Sequence, residues 1–355
     1  MRFLRNSWYV AGWSDELKSV PLARRILDEP VVIFRMRGGK AHAFADRCPH
    51  RFAPLSLGKV QGKHLRCVYH GLEFDGQGAC VHNPHGSLDA FARTRIKTYP
   101  VAERHQAIWV WMGGVEPDEQ LIPDISYIDD DPSIRTVKGS ICMKADYRLV
   151  MDNLMDLSHA VYLHADTIAT PEMIGGLQTA HRSLKPNGVE VTMWSDNVPP
   201  PTFWRQQLPA EVERINFRTE MTWYPGSNLL LDVYVDPVDG REVTPEWPRL
   251  SRSVHLLTPE TSTSTRYYWT SSRTNALNDP QMDRFVYDMV TRAFVEQDEP
   301  VIEAQQDSIG ASDLLALKPV WLPIDAAPMR VRRKLTQLIA REENARANML
   351  AEAGH

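Results

Sequence analysis

The sequence predicts an α+β protein of two domains: an all-β domain over residues 1–118, and an α+β domain with a curved antiparallel sheet over residues 119–355. Three observations carry this. Short apolar or alternating runs, each bounded by Gly, Pro, Asp or charge, dominate the first third of the chain. Two loops interrupt them, and each pairs a cysteine with a histidine: Cys48-Pro49-His50 and Cys67-Val68-Tyr69-His70. After an acidic, proline-containing passage the pattern changes to longer strand-like runs and a long late helix. At 355 residues the chain can bury two cores of ordinary size.

Taken in order, residues 8–11, 30–35, 41–44 and 107–111 read as strands. Arg37-Gly38-Gly39-Lys40 is a hairpin signal between two of them. The passage from Glu116 to Pro132, which includes Asp129-Asp130-Asp131, is the candidate linker. Residues 147–159 read as helix, with Leu149, Val150, Leu154, Met155 and Leu157 as its apolar positions. Residues 189–194, 229–235, 253–257 and 265–270 return to strand patterning. A long helix opens at Asp279-Pro280, with Asp279 as N-cap and Pro280 at the first helical position, and runs to Gln306. A charged helical tail over 329–353 closes the chain, and the curved sheet is expected to wrap around the long helix.

Composition removes several classes of function. Hydrophobic content of 43% and charged content of 24% are globular values. A net charge of −5 without a Lys/Arg-rich run offers no footprint for nucleic acid. The start lacks an apolar leader core, and no apolar run approaches the ~20 residues that span a bilayer, so a soluble, cytoplasmic protein is expected. Four cysteines make no disulfide framework, and Cys80 and Cys142 read as small buried hydrophobes.

The Cys48/His50 and Cys67/His70 loops suit two chemistries. A tetrahedral zinc site takes two cysteines and two histidines. A Rieske [2Fe–2S] cluster holds one iron by two cysteines and the other by two histidines. Zinc fingers group like ligands together. Here each loop is mixed and flanked by turn formers, which favours the cluster. His64, His82 and His85 lie nearby, and they read as surface histidines or as supports, since the four-ligand set is complete.

A second constellation is Asp156-x-x-His159-x-x-x-x-His164. Five helical residues turn through ~500°, so the two histidines converge only if the helix ends or bends between them. Two histidines and one carboxylate leave positions open on Fe(II). Glu296, Asp298 and Glu303 on the late helix are candidates for the carboxylate, and Pro300 weakens that helix around Asp298. A pair of satisfied core histidines is the alternative.

The two constellations together resemble the Rieske non-haem iron oxygenases, in particular aromatic demethylating members of the vanillate O-demethylase and dicamba monooxygenase type. The resemblance covers nearly the whole chain. It runs through Arg5-Asn6-x-Trp8-Tyr9-Val10-Ala11, Cys48 to Ser56, Tyr69 to Phe74, Val81 to Gly86, Asp152 to Ala160, and Leu257-Thr258-Pro259-Glu260-Thr261. It implies a helix-grip (START-like) second domain. It also implies that Cys48 and Cys67 hold one cluster iron and His50 and His70 the other, with His159, His164 and Asp298 on a mononuclear iron. Asp156 matches a carboxylate linking His70 of a neighbouring subunit to His159, within a ring of three subunits, and Asn153 matches a position close to the iron. Asn228 and His255 match substrate contacts, and Met289 takes the place of a pocket tryptophan.

The implied reaction is O2-dependent oxidation of an aromatic acid, foremost the O-demethylation of a methoxylated benzoate such as vanillate. Electrons would come from NAD(P)H through a separate flavin and iron–sulfur reductase, as no G-x-G-x-x-G fingerprint is evident in this chain. Oxidation of a ring, methyl or N-alkyl group is the runner-up, because the same ligands support it. An electron-transfer or ligand-binding protein without oxygenase activity is the reading from a different class. The length beyond residue 115 argues against a simple ferredoxin.

Overall fold

The computed structural model describes all residues except 1, 2, 130, 177, 184–187, 239, 241, 245, 246, 354 and 355, so Asp130 of the expected linker lies outside the described residues. The chain divides into two compact units. One comprises Arg5–Ile122 with Thr258–Thr261, the other Met1–Leu4, Pro123–Leu257 and Ser262–His355.

The first unit is built from three small sheets. Trp8–Trp13 pairs antiparallel with Ala107–Trp111, and both strands are buried along their whole length. Glu29–Arg35 and Ala41–Ala45 form the expected hairpin, with Gly38 and Gly39 at φ +122 and +98 supplying the turn. The third sheet, running from Lys59–Gln61 to Cys80–His82, carries the second cysteine loop between two of its strands. Phe34, Phe44, Leu55, Leu65, Leu72, Phe74 and Ile96 pack together with Cys48 and Cys67 in one core cluster. Thr258–Thr261 are tied into this unit by main-chain bonds: Leu27 N–H donates to Pro259 O (2.8 Å) and Asp28 N–H to Glu260 O (3.0 Å).

The second unit is dominated by a curved, largely antiparallel sheet of seven strands. Their spatial order is Arg135–Met143, Ser264–Arg273, Leu250–Thr261, Asn228–Pro237, Ile215–Tyr224, Val189–Val198 and Gln178–Ser183. Alternation along Val189–Val198 and Ile215–Tyr224 buries Val191, Met193, Phe217 and Met221 on one face. Of these seven, Arg135–Met143 and Gln178–Ser183, at the two edges, together with Ile215–Tyr224, are strands that the sequence patterning did not single out. Arg135–Met143 is partly solvated along most of its length, so it lacks a dense apolar run. It also places Cys142 on the outside between the buried Ile141 and Met143. The expectation of a buried Cys142 is therefore corrected by strand alternation. Cys80 is half-buried.

Two helical expectations are refined. The first helix covers Tyr147–Met155 rather than reaching His159, because Asp156 leaves helical geometry (φ −95, ψ 88) and caps a 3₁₀ turn over Leu157–His159. The late helix is three pieces: Pro280–Thr291, a π-helical segment Arg292–Asp298, and Glu299–Ile309. Asp279 caps its start, accepting from Gln281 N–H at 2.8 Å. The tail helix runs Ala326–Ala353, and Arg332, almost fully buried, pairs with Asp152 at 2.6 Å to pin the tail to the first helix.

One backbone approach gives a stability prediction. Gly78 has φ +74, and a Cβ there would lie 2.5 Å from the main-chain oxygen of Ile96. Gly78→Ala should lower unfolding stability by about 2 kcal/mol or more, seen as a lower urea midpoint. An unchanged midpoint would contradict the packing described.

Candidate metal centres and active site

The two cysteine loops are folded alike. Cys48 N–H donates to Ala53 O (2.9 Å) and Phe52 N–H to Cys48 O (2.9 Å). In the second loop Cys67 N–H donates to Leu72 O (2.8 Å) and Gly71 N–H to Cys67 O (3.1 Å). Each loop therefore closes with the same pair of bonds at the same offsets. Phe52 and Gly71 occupy equivalent left-handed positions, φ +58 and +72. Glycine meets that demand in one loop. In the other, Phe52 takes the strain, and its exposed ring lies under the Arg47 guanidinium at 4.8 Å.

The result is a polarised site. Both thiols are buried at the edge of the core, while His50 is exposed and His70 half-buried, with ring centroids 4.5 Å apart. Burial pushes the Cys48 thiol up to about 11, and the neighbouring Cys67 adds to the shift. A bound cation would reverse that shift, since thiolates are the ligating form. Two thiols inward and two imidazoles outward fit a cluster with chemically distinct irons better than a single tetrahedral ion. His85 supports the second loop, its Nε2 lying 3.1 Å from His70 O. His64 pairs with Glu73 at 3.1 Å, and His82 is exposed.

In the second unit, His159, His164 and Asp298 converge, forming among the described residues a three-donor group able to hold a metal ion. His159 Nε2 to His164 Nε2 is 3.2 Å, His164 Nε2 to Asp298 Oδ1 3.2 Å, and His159 Nε2 to Asp298 Oδ1 3.5 Å. Three donors each roughly 2.1 Å from one ion, at right angles to one another, stand about 3.0 Å apart, so the trio fits one face of an octahedron. Glu296 is exposed and Glu303 accepts from Lys144 N–H at 2.8 Å; neither belongs to the group.

Local structure explains the convergence. The helix ends at Met155, and a 3₁₀ turn followed by the single turn Ala160–Leu163 turns His164 back beside His159. On the late helix the π segment closes with Glu299 N–H donating to Phe294 O, five residues back. The break in helical regularity thus lies just before Pro300, which sits in the first turn of Glu299–Ile309 where no donor is needed. The Asp298 carboxylate is thereby buried, at 4% exposure.

Hydrogen bonds orient these rings. His159 Nδ1 meets the main-chain carbonyl of Asp156, rather than the carboxylate expected from sequence. That carboxylate instead caps the turn, with Oδ1 accepting from Ser158 N–H (3.0 Å) and Ser158 Oγ (2.5 Å). His164 Nδ1 lies 2.8 Å from Gln297 Oε1. Asn153 Nδ2 donates to Asp298 Oδ1 at 3.1 Å. Burial opposes a charge on His164, yet the hydrogen bond and charge of Asp298, with Gln297 and Asp166, hold its pKa above the ordinary value. The group is arranged to receive positive charge.

A cavity of about 90 Å³ opens against the three donors. The sheet contributes Met193, Phe217, Thr219, Met221, Val233 and His255; Trp204 and Phe294 close other sides. His255 is 1% exposed, its Nδ1 lies 2.5 Å from Tyr267 Oη, and its Nε2 has no hydrogen-bond partner. Asn228 is buried elsewhere, donating to Pro225 O at 3.3 Å, and Met289 faces the interior from its helix; neither lines the cavity. Gln297, Trp204 and Phe294 are site residues that sequence reasoning passed over, and adjacency to Asp298 was the one available hint for Gln297.

An all-β unit with two Cys–His loops, in one chain with a sheet-and-helix unit that gathers two histidines and a carboxylate beside an apolar cavity, defines a Rieske non-haem iron oxygenase. Comparison with known proteins agrees. Residues 7–100 match the Rieske [2Fe-2S] domain, and residues 143–341 match the vanillate O-demethylase oxygenase C-terminal domain. The chain is 37% identical to the dicamba O-demethylase oxygenase component of Stenotrophomonas maltophilia over 95% of this chain and 98% of that one. It is 32% identical to the chloroacetanilide N-alkylformylase oxygenase component of Rhizorhabdus wittichii over 96% and 97%. Dicamba monooxygenase bound to 3,6-dichlorosalicylic acid superposes with a TM-score of 0.87 (36% identity, 98% and 100% covered). The same enzyme with non-haem iron and dicamba gives 0.77 (34% identity, 98% and 100% covered). The chain belongs to the vanillate O-demethylase type of Rieske non-haem iron oxygenases and is the oxygenase component of a monooxygenase that acts on aromatic compounds.

Burial lowers the His255 pKa from 6.5 to about 3. The unfolded chain therefore takes up this proton first as pH falls. The stability due to the neutral buried ring is complete above about pH 6.5 and declines toward pH 3. His255→Phe should remove a slope of roughly 1.4 kcal/mol per pH unit between pH 4 and 6. Unfolding free energies of both proteins across that range check this, and parallel curves would contradict it.

Proposed function

We propose that this chain is the terminal oxygenase of a system that removes the methyl group from a methoxylated benzoate. The observation that carries this is the convergence of His159, His164 and Asp298 at the edge of an apolar cavity. Cys48 and Cys67 would hold one iron of the cluster and His50 and His70 the other, with His159, His164 and Asp298 on the mononuclear iron. When bound, these centres supply one-electron transfer and reductive O2 activation.

The residues of the chain do the rest. Met193, Trp204, Phe217, Val233 and Phe294 form a dry wall against which an aromatic ring packs. Among the described residues the lining includes no lysine or arginine, so a substrate oxygen is oriented by a neutral donor. We assign that role to His255. The Tyr267 hydroxyl, held protonated by burial, donates to Nδ1 and leaves Nε2–H for the substrate's ether or carboxylate oxygen. Asn153 steadies the Asp298 carboxylate by its 3.1 Å bond.

Asp156 would link the two centres, its carboxylate reaching His70 of a neighbouring subunit and its main-chain carbonyl holding His159, in a cytoplasmic homotrimer supplied with NAD(P)H electrons by a separate reductase. Likeness to an oxygenase component of an N-alkylformylase supports a second reading, oxidation of an N-alkyl carbon in the same cavity.

Iron and acid-labile sulfide should be found at about three to two per chain, with a Rieske signal after reduction. His159→Ala and Asp298→Ala should each lower turnover by roughly a thousandfold or more while leaving that signal intact. Formaldehyde release from methoxylated benzoates, measured beside N-alkyl substrates with a reductase, decides between the two readings. Turnover that survived both substitutions would remove the mononuclear site.

A further inference from the structure

The His164 ring is held on both sides by consecutive residues. Asp298 Oδ1 faces its Nε2 at 3.2 Å, and Gln297 Oε1 faces its Nδ1 at 2.8 Å. Behind Gln297 stands a chain of polar groups that reaches the surface. Gln297 Nε2 lies 2.7 Å from Asp166 Oδ1, and the Arg292 guanidinium pairs with Asp166 Oδ2. Thr167 Oγ1 donates to Gln297 Oε1 at 2.9 Å.

Donor and acceptor rules make this chain directional. A carboxylate accepts and does not donate, and Asp166 accepts from Arg292 through its other oxygen, so the Gln297 group facing Asp166 must be its NH2. The group facing His164 is then the amide oxygen, which cannot donate either. His164 Nδ1 must therefore carry the proton, leaving the Nε2 lone pair directed toward Asp298 and His159. His159 is set in the same sense by the Asp156 carbonyl at its Nδ1. The amide is also the right chemical type. A carboxylate in its place would stand 2.7 Å from Asp166, like charge against like, and would strengthen the basicity of the imidazole; the amide orients it without adding charge.

We infer that Gln297 is a positioning residue for the mononuclear iron, with Arg292 and Asp166 fixing its amide so that His164 presents an unprotonated Nε2 to the metal. The inference rests on the metal reading above. The π-helical segment serves it directly, because it brings Gln297 and Asp298 to opposite nitrogens of one ring.

The test is retention of iron by the intact holoprotein during anaerobic challenge with an Fe(II) chelator, together with the EPR signal of the Fe(II)–nitric oxide adduct. Gln297→Leu should weaken iron retention roughly 10- to 100-fold and alter the nitric oxide signal, with the [2Fe–2S] signal unchanged. Asp166 is largely exposed, so its variants keep the question answerable if Gln297→Leu fails to fold. Asp166→Leu should lose part of the retention, and Asp166→Asn, whose amide oxygen can still accept from Gln297, should restore it. Equal retention and an equal nitric oxide signal in wild type, Gln297→Leu and Asp166→Leu would overturn the inference. In that event, loss of the third iron in His164→Ala would show that the metal reading itself stands. A wild-type protein with two irons per chain would remove the metal reading and this inference together.

Discussion

The second unit is organised around one requirement: three donor atoms from two distant segments must meet within 3.2–3.5 Å of one another, away from bulk water. Regular helices cannot deliver this. A straight helix would splay His159 from His164, and an unbroken late helix would present a different face. Both segments therefore leave regular geometry at the point where a side chain is needed, one through Asp156 and a 3₁₀ turn, the other through a π segment ahead of Pro300. The seven-stranded sheet and the Asp152–Arg332 pair on the first helix supply the rigid frame that holds these departures in place.

The first unit solves a different problem with a similar economy. Its two loops are closed by the same two main-chain bonds, so the thiols enter the core edge together and the imidazoles emerge side by side. The matched left-handed positions of Phe52 and Gly71 show that the backbone path, rather than residue type, is what the two loops share. An exposed His50 and a half-buried His70 beside buried thiols turn the polar end of the site outward and keep the sulfurs dry.

Polar atoms in the buried cavity follow the same logic of assigned direction. The His159 and His164 rings each have one nitrogen committed to a carbonyl oxygen, and the other faces Asp298. His255 has one nitrogen committed to Tyr267 and the other unpartnered, in a lining that is otherwise almost wholly apolar. A buried, unpaired nitrogen costs about 1–3 kcal/mol, a cost that a ligand oxygen would relieve.

Much of this was legible in the sequence. The mixed Cys48/His50 and Cys67/His70 loops, the hairpin at Gly38-Gly39 and the Asp279-Pro280 helix start all depend on neighbours within a few residues, where spacing and backbone chemistry decide the outcome. What lay beyond it depends on contacts that spacing does not encode. The solvated strand Arg135–Met143 carries little apolar signal, and Cys142 faces outward because its register is set by pairing with Ser264–Arg273. Thr258–Thr261 belong with a unit that lies far from them in sequence. That Asp298 stands against the two histidines and Glu296 and Glu303 do not, that Gln297 grips the other side of His164, and that His255 borders the cavity while Asn228 does not were decided only when the sheet, the broken helices and their hydrogen bonds assembled in three dimensions.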